Sequence, residues 1–313
     1  MLHKVIFLIC ILIFTFISIF FYRLIWKRFH GLEQTPTGFG VILSIFLFTT
    51  SVVFQFPNVY LISLTTILIA TIIYWFDDII EISPLFRTFL SFITGAIIGA
   101  VFLGLSLNHE IFLNIFFCLI FGLINVTLTN IVNFYDGADL NLSTFIILAF
   151  ILVLAFLPGN SEWVLISLSG LAFIIPFAII NSRPQTLYLG DSGSFVFASL
   201  LTSLIIFFLK DINSINLKII IPIALPAFDV FFVLILRIKE KQDLLSRNYL
   251  HLYQKLKHKY GGYFYLLPQI GNTLLCLMFA NFLQLNSVGN ILSVLISIIL
   301  ITPIFYYFTR RLV

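Results

Sequence analysis

Charge is what this sequence has least of. Only 10% of its 313 residues are Asp, Glu, Lys or Arg, and 61% are hydrophobic. A soluble domain carries about 25% charged residues. So few charges cannot cover a water-facing surface. This excludes a soluble globular protein and makes the lipid bilayer the expected solvent of the chain.

Cysteine is also scarce. The three cysteines, Cys10, Cys118 and Cys276, all lie inside apolar runs. They show neither the spacing of metal ligands nor a paired pattern. We therefore interpret them as small packing residues and expect no disulfide framework and no cysteine-bound metal.

Long apolar runs dominate what is present. A membrane-spanning helix needs about 20 apolar residues, and polar or turn-forming breaks divide the chain into about eleven such runs. A β-barrel would need short alternating segments, which the sequence lacks. The predicted fold is therefore all-α, a polytopic membrane helix bundle formed by one integral-membrane domain, residues 1–313. The predicted spans are 5–22, 39–55, 59–76, 85–106, 111–130, 141–157, 163–181, 193–209, 216–237, 264–284 and 287–308.

The basic residues indicate an orientation. If the N-terminus lies outside, only Lys4, Lys210 and Lys218 of the 17 Lys and Arg residues face the outside, and the other 14 face the cytoplasm. This split agrees with the positive-inside rule and predicts an outside N-terminus and a cytoplasmic C-terminus. The first apolar run is followed by basic residues rather than a small-residue cleavage site, so we expect it to be a retained span and not a signal peptide.

Ionisable residues are absent from the middle of the predicted spans. The carboxylates, Asp229 among them, fall mostly at the cytoplasmic ends, and outside we place only Glu110, Glu162 and Asp211. A proton- or ion-coupled carrier usually needs charged groups inside the membrane. The pattern therefore favours an enzyme that works at the cytoplasmic interface.

The first polar motif is the pair Asp77 and Asp78 at the end of the third span. Adjacent carboxylates at an apolar boundary repel each other, and burial further disfavours their charge. A divalent cation or a proton-donating group nearby would keep them ionised. The alternative is a solvated helix end, which the negative C-terminal end of the helix dipole makes less favourable.

The second motif runs from Asn130 to Asp139 and includes Asn133, Asp136 and Gly137. It contains no Lys or Arg. Amides and carboxylates beside a glycine suit hydrogen bonding to a nucleobase or to a hydrated Mg²⁺. The alternative is an ordinary turn between two spans, since Asn, Asp and Gly favour turns.

The third motif runs from Asn181 and Arg183 to Asp191 and Ser194. Its Gly-Asp-Ser-Gly-Ser segment opens the eighth span. A helix start presents free backbone N–H groups that attract phosphate, and the carboxylate attracts a metal ion. The alternative is a simple N-cap, which explains one residue and not the whole run.

The fourth motif is the basic loop from Arg237 to Lys259. Arg247, His251, Lys255 and Lys259 recur at steps of four and would share one helical face. A basic amphipathic segment suits anionic headgroups or a pyrophosphate at the membrane surface. The alternative is positive-inside anchoring, which we prefer for the lysines.

Together these motifs resemble the polyprenyl-phosphate N-acetylhexosamine-1-phosphate transferases, which use UDP-sugars at the cytoplasmic membrane face. The resemblance covers about His30 to Lys255 and rests on the motifs in this order. The segments that carry it are Thr35–Gly40, Asp77-Asp78, Asn130–Asp139, Asn181–Ser194, and Asp229 with Arg237. The segment His251-Leu252-Tyr253-Gln254 stands where the family has His-x-His-His, which resembles the subgroup that initiates O-antigen and other surface polysaccharides. Leu140 replaces a usual glycine.

The resemblance implies roles for individual residues. Asp191, with Asp77, would bind Mg²⁺, or Mn²⁺ as an alternative. The implied catalytic residues are Asp77, Asp78, Asp136 and His251. The implied substrate-binding residues are Asn130, Asn133, Asp139, Asn181, Arg183, Tyr188 and Arg247, with Asp139 and Asn181 hydrogen-bonding uracil and Tyr188 stacking on it.

The activity that the resemblance implies is transfer of HexNAc-1-phosphate, or its 6-deoxy form, from a UDP-N-acetyl sugar to undecaprenyl phosphate in the bacterial inner membrane. UMP would be released and lipid-linked glycan synthesis would begin. Two alternatives stay open: the peptidoglycan-type phospho-MurNAc-pentapeptide transferase and a non-enzymatic transporter of lipid-linked sugars. Membrane lipids are expected partners, a homodimer stays open, and we expect no nucleic-acid partner.

Overall fold

The computed structural model describes residues 2–31, 34–104, 111–159, 161–210, 217–242, 249–285 and 289–313. Within these ranges every regular element is a helix. The α-helices are α1 (Leu2–His30), α2 (Gly40–Val53), α3 (Asn58–Asp77), α4 (Pro84–Leu103), α5 (Ile111–Tyr135), α6 (Asn141–Phe156), α7 (Glu162–Asn181), α8 (Gly190–Lys210), α9 (Ala224–Lys239), α10 (Leu252–Tyr260), α11 (Leu267–Leu285) and α12 (Asn290–Arg310). Two 3₁₀-helices, Leu217–Ile223 and Phe264–Leu266, precede α9 and α11.

The helices have the length and composition of membrane spans. In the described ranges, nine helical segments are long and apolar enough to cross a bilayer, and two shorter apolar helices, Gly40–Val53 and Asn141–Phe156, accompany them. The predicted all-α polytopic membrane fold is therefore confirmed. The count of eleven spans and the orientation stay predictions.

Two helix boundaries differ from the sequence-based expectation. Helix α5 continues to Tyr135, so Asn130 and Asn133 lie on its last turns rather than in a loop. His251 is the N-cap of α10 and does not lie within that helix. The predicted common helical face of Arg247, His251, Lys255 and Lys259 is therefore wrong for His251, and Arg247 lies outside the described residues. In both cases the misplaced end falls among polar residues, where hydropathy gives no boundary.

The chain divides into two compact units. The first consists of residues 1–133 and 158–214, and the second of residues 134–157 and 215–313. The first unit thus holds α1–α4, most of α5, α7 and α8, and the second holds α6 and α9–α12. The single transferase domain expected from the sequence stays a prediction.

Small residues and one buried amide hold the first unit together. A Cβ atom added to Gly99 on α4 would lie 2.4 Å from the ring of Phe121 on α5. Asn125 is fully buried; its amide nitrogen donates to the Ser91 carbonyl at 2.8 Å, and its oxygen accepts from the Thr202 hydroxyl at 2.8 Å. In lipid the hydrophobic effect does not drive helix association, so close backbone approach and interhelical hydrogen bonds must do so.

A lysine is buried in the second unit. Lys218 is only 4% exposed, and its ammonium group donates to the side-chain oxygens of Asn281 and Gln284. It also lies 5.4 Å from the ring centroid of Phe156. Two amide oxygens thus stabilise a charge that would otherwise be costly in an apolar setting, and they tie α11 to the first 3₁₀-helix.

We predict that Gly99→Ala destabilises the first unit. The added methyl group would overlap the Phe121 ring, and overpacking of this kind costs about 1–3 kcal/mol. Thermal unfolding of the purified protein in detergent would measure the loss. Gly159→Ala is the matched control, because a Cβ atom there meets nothing within 4 Å. Equal unfolding temperatures for the two variants would contradict the packing argument.

Candidate active site

Within the first unit, backbone hydrogen bonds join the segment Thr35–Gly40 to the residues just before α8. The N–H of Tyr188 donates to the Pro36 carbonyl at 2.8 Å, and the N–H of Gly40 donates to the Leu189 carbonyl at 3.0 Å. The close contact between Asp78 and the start of α8 requires glycine at position 190. Gly190 has φ +75°, and a Cβ atom on it would lie 2.4 Å from Asp78 Oδ1. The segment Thr35–Gly40 therefore positions the helix start that the third motif contains.

Asp78 caps α8 from another part of the chain. Its Oδ1 accepts the N–H of Asp191 at 2.8 Å, and its Oδ2 accepts the N–H of Ser192 at 3.1 Å. Burial, together with the nearby carboxylate of Asp191, raises the pKa of Asp78 to about 7. The capping bonds and the positive end of the helix dipole favour its ionised form, and an added cation would do so further. Asp78 therefore fixes the first turn of α8, where Asp191 lies.

Arg87 joins two of the predicted carboxylates. Its Nη1 lies 3.2 Å from Asp77 Oδ2 and 2.8 Å from Asp191 Oδ2. The other oxygens are also engaged, because Ile82 N donates to Asp77 Oδ1 at 2.6 Å and Asn133 Nδ2 donates to Asp191 Oδ1 at 3.0 Å. The structure thus brings Asp77 and Asp191 to Arg87, and Asp78 and Asn133 to Asp191. We call these five residues the Arg87 cluster.

The sequence analysis missed the role of Arg87. A signal for it was present: this arginine is the only basic residue of its predicted span, and it lies in the first turn of α4, shortly after Pro84. A cation there opposes the helix dipole. An arginine in so unfavourable a position, soon after paired aspartates, indicates an acidic partner.

The chemistry of the Arg87 cluster fits a divalent cation. Mg²⁺ binds through one or two carboxylates and completes its shell with water and phosphate oxygens. Asp77 and Asp191 each direct one oxygen toward Arg87 Nη1, and the buried Asp77 Oδ2 makes this ion pair but accepts no hydrogen bond from the described residues. In the part of the chain that is described, no group of three His, Cys, Asp or Glu side chains could hold a metal. A cation would therefore be held by two carboxylates and the substrate.

His251 in the second unit is held by a buried carboxylate. Its Nδ1 lies 2.9 Å from Asp229 Oδ2, while Asp229 Oδ1 accepts the N–H of Leu252 at 3.0 Å and the hydroxyl of Tyr306 at 2.8 Å. His251 is 4% exposed and Asp229 is 1% exposed. Arg310 Nη1 lies 4.0 Å from the same Asp229 oxygen. Because its carboxylate partner is itself held by these groups, the imidazole is fixed in place.

The location of Asp229 corrects one expectation. The sequence analysis placed it at the cytoplasmic end of a span, but it lies within α9, ten residues before Lys239, where that helix ends. Ten residues of helix are about 15 Å long, so Asp229 is an ionisable residue well inside an apolar segment. Hydropathy does not show it, because one carboxylate changes the mean of a long apolar run very little. The carboxylate is paired within the second unit, since it is hydrogen-bonded to His251 and Tyr306.

The loop that follows α5 is fixed within the second unit. The hydroxyl of Tyr253 donates to the Phe134 carbonyl at 2.8 Å, and Lys257 Nζ lies 3.0 Å from Asp139 Oδ2. Leu140 has φ +63° in the left-handed region, at the position where the family usually has glycine. The backbone thus keeps a glycine-type turn although the side chain has changed, so the departure noted in the sequence does not remove this turn. Asp136 is half-buried in the same loop.

The remaining predicted substrate residues are placed as follows. Asn181 is buried and its amide nitrogen donates to the Leu187 carbonyl at 2.8 Å, which closes the loop before α8. Arg183 and Tyr188 are exposed on that loop. Asn130 is exposed on α5 and donates to the Val126 carbonyl at 2.9 Å. The substrate contacts expected of these residues, and of Asp136 and Asp139, stay predictions.

Two comparisons with known proteins bear on this arrangement. Residues 60–209 match the family described as glycosyl transferase family 4. A protein of Bacillus subtilis (strain 168) named "Probable undecaprenyl-phosphate N-acetylglucosaminyl 1-phosphate transferase" is 32% identical over 143 residues, which is 42% of this chain. The aligned part covers 38% of that relative, so the chain spans about two fifths of the length of the curated protein it matches.

The matched segment contains the whole Arg87 cluster, since all five of its residues lie between residues 60 and 209. His251 and Asp229 lie outside it. The resemblance drawn from the motifs is therefore confirmed: residues 60–209 match glycosyl transferase family 4, and the chain is similar to the polyprenyl-phosphate N-acetylhexosamine-1-phosphate transferases.

Proposed function

We propose that this protein transfers HexNAc-1-phosphate, or 6-deoxy-HexNAc-1-phosphate, from a UDP-sugar to undecaprenyl phosphate. The observation that carries the proposal is the Arg87 cluster, in which two carboxylates and a guanidinium group meet at the N-terminus of an apolar helix. Phosphoryl transfer depends on positioning and on stabilising negative charge, and this cluster can do both. The name of the Bacillus relative supports undecaprenyl phosphate as the acceptor.

The proposed reaction exchanges one phosphorus–oxygen bond for another. An oxygen of the lipid phosphate attacks the sugar-linked phosphorus of the UDP-sugar. The bond from that phosphorus to the bridging oxygen breaks, and UMP leaves with the bonding electrons. The product is a polyprenyl-diphospho-sugar, the first lipid-linked intermediate of a surface glycan.

The Arg87 cluster would bind the pyrophosphate. Asp191 and Asp77 would hold Mg²⁺, or Mn²⁺ in its place, and the bound cation would neutralise charge that develops on the phosphates. Arg87 supplies a fixed positive charge at the same point. Asp78 holds the first turn of α8, so that its N–H groups and Asp191 keep their positions.

The remaining roles are those that the resemblance to the polyprenyl-phosphate N-acetylhexosamine-1-phosphate transferases implies. Asp136 would belong to the carboxylates that act on the lipid phosphate or the metal ion. Asp139 and Asn181 would hydrogen-bond uracil, and Tyr188 would stack on it. Uracil would have to share Asp139 with Lys257 and Asn181 with the Leu187 carbonyl. Asn130, Asn133, Arg183 and Arg247 would complete the binding of the UDP-sugar.

His251 would contact the sugar or the pyrophosphate. When Nδ1 of a neutral imidazole donates to a carboxylate, the proton is on Nδ1 and Nε2 is left as an acceptor. Asp229 Oδ2 is such a partner for Nδ1. Asp229 and Tyr306 are therefore positioning residues, because they act on the substrate through His251.

The proposed location is the bacterial inner membrane with the reacting groups at the cytoplasmic face. The support is the helical membrane fold together with the 14 basic residues that the predicted topology places inside. UDP-sugars are cytosolic donors, so a cytoplasmic site agrees with the proposed substrate.

Release of UMP is the direct test of the proposed function. Purified protein would be given undecaprenyl phosphate, Mg²⁺ and a panel of UDP-N-acetyl sugars, with and without EDTA. We expect UMP release with one donor and its loss when EDTA is added. Release only with UDP-MurNAc-pentapeptide would support the peptidoglycan-type alternative. Folded protein that releases no UMP with any donor would contradict the proposal.

We predict that Asp191→Asn lowers UMP release about 10²–10³-fold, the loss seen when one group that stabilises developing charge is removed. Glu81→Gln is the matched control, since it neutralises an exposed carboxylate a few residues after the paired aspartates. We expect the control to keep its activity. Unchanged turnover of Asp191→Asn would show that Asp191 does not hold the metal.

We predict that His251→Ala and Asp229→Asn are not additive. If Asp229 acts only by orienting His251, the double variant loses no more activity than His251→Ala alone. The measurement is kcat and KM for UMP release from the two single variants and the double variant, with thermal unfolding as a check on the fold. Losses that multiply would show that Asp229 has a separate role, and full activity of His251→Ala would remove the role of the imidazole.

A further inference from the structure

A groove runs between α9 and α12 in the second unit. Its volume is about 430 Å³, within the range of about 300–1,000 Å³ that small-molecule sites occupy. Aromatic side chains and one proline line most of it, and two arginines lie at one end. We call this the α9–α12 groove; its residues are Phe228, Phe232, Pro303, Tyr306, Tyr307, Arg310 and Arg311.

Both arginines are held against ring faces of the groove. The guanidinium of Arg310 lies 4.9 Å from the ring centroid of Phe232, and that of Arg311 lies 4.5 Å from the ring centroid of Tyr307. Arg310 Nη1 also donates to the Tyr306 hydroxyl at 2.8 Å and to the Leu250 carbonyl at 3.0 Å. The two charges are thus preorganised by cation–π contacts and hydrogen bonds.

The charge at this end of the groove is positive. The carboxylate of Asp229 lies 4.0 Å from Arg310 and balances part of its charge. Arg311 is exposed, and a third cation is close to the end of α12, because Lys259 Nζ donates to the Leu312 carbonyl at 2.6 Å. The α9–α12 groove is therefore apolar along most of its length and positively charged at one end.

A simpler explanation covers only part of this arrangement. Arginines at a helix C-terminus are stabilised by the negative end of the helix dipole, and basic residues anchor helix ends at the inner membrane surface. Neither effect requires the two guanidinium groups to stack on rings that line the same groove. The combination of an apolar channel with a cationic end has the shape and charge of a phospholipid.

We propose that the α9–α12 groove binds an anionic glycerophospholipid, with an acyl chain along the aromatic residues and the phosphodiester at Arg310 and Arg311. A helix of a second copy fits less well: one turn, about 10–12 Å wide and 5.4 Å long, already fills a volume near that of the whole groove. In the predicted orientation the arginines face the cytoplasmic leaflet, where anionic lipids attract basic residues. This lipid site does not depend on the proposed function.

The test uses the full chain in a neutral detergent and phosphatidylglycerol with a photoactivatable group in one acyl chain. We expect crosslinks on α9 and α12 around Phe228, Phe232 and Tyr307, and fewer with the matching phosphatidylcholine. Arg311→Gln should weaken phosphatidylglycerol labelling about fivefold, the effect of one basic residue near an anionic lipid. Arg28→Gln removes an exposed cation at the end of α1 and should leave the labelling of the groove unchanged.

A second variant separates the groove from the charge. Tyr307→Leu keeps an apolar side chain but removes the ring under Arg311, and it should also lower labelling. Soluble glycerol phosphate should not compete, because it lacks the chain. Arg311 and Tyr307 are exposed, so both variants should unfold at the temperature of the unchanged protein.

Five outcomes would overturn the proposal. Equal labelling by phosphatidylcholine, or labels spread over exposed residues of α1, would show only the general lipid shell. Competition by undecaprenyl phosphate but not by unlabelled phosphatidylglycerol would identify a carrier site. Competition by glycerol phosphate would identify an anion site without a lipid chain. Labels confined to a dimer and unaffected by Arg311→Gln would identify an interface between copies.

Discussion

The first unit depends on the contact between Asp78 and the first turn of α8. A helix N-terminus leaves N–H groups without partners, and an apolar environment makes each unpaired group costly. Asp78 satisfies two of them from the end of α3, at 2.8 and 3.1 Å. Asp191 belongs to the same first turn of α8. The capping contact made by Asp78 therefore also sets the position of the Asp191 carboxylate relative to α3 and α4. This contact is possible only because residue 190 is glycine, since a Cβ atom there would overlap the Asp78 carboxylate.

Arg87 then determines how much negative charge this site can hold. Three aspartates gather around one helix start, where like charges repel and burial penalises ionisation. A single guanidinium nitrogen contacts two of them, which offsets that repulsion before any cation or substrate binds. In the proposed reaction, a divalent cation at this site would be held by two carboxylates, and its remaining positions would be left for water and pyrophosphate oxygens.

The membrane fold could be predicted from the sequence, because hydropathy determines it. The chemistry assigned to the motifs stays a prediction. Asp78 and Asp191 are 113 residues apart in the chain, yet their meeting was expected from the motifs and the resemblance. What could not be predicted is the set of partners that long-range packing chooses. Arg87 was counted only as a topology signal, and Asp229 was placed at a helix end although it is buried within α9.

The two units use the same device. In the first, Asp78 caps α8 and so holds Asp191 in the first turn; in the second, Asp229 accepts the N–H of Leu252 in the first turn of α10 and holds His251 at its N-cap. In each case the carboxylate comes from a different part of the chain than the helix it caps. A carboxylate inside an apolar segment is costly unless it is hydrogen-bonded, and a helix start needs acceptors. The N–H groups of the helix start supply the donors that the carboxylate needs, and the carboxylate supplies the acceptors that the helix start needs. A buried aspartate can therefore hold a neighbouring side chain at a helix start without a soluble scaffold around it.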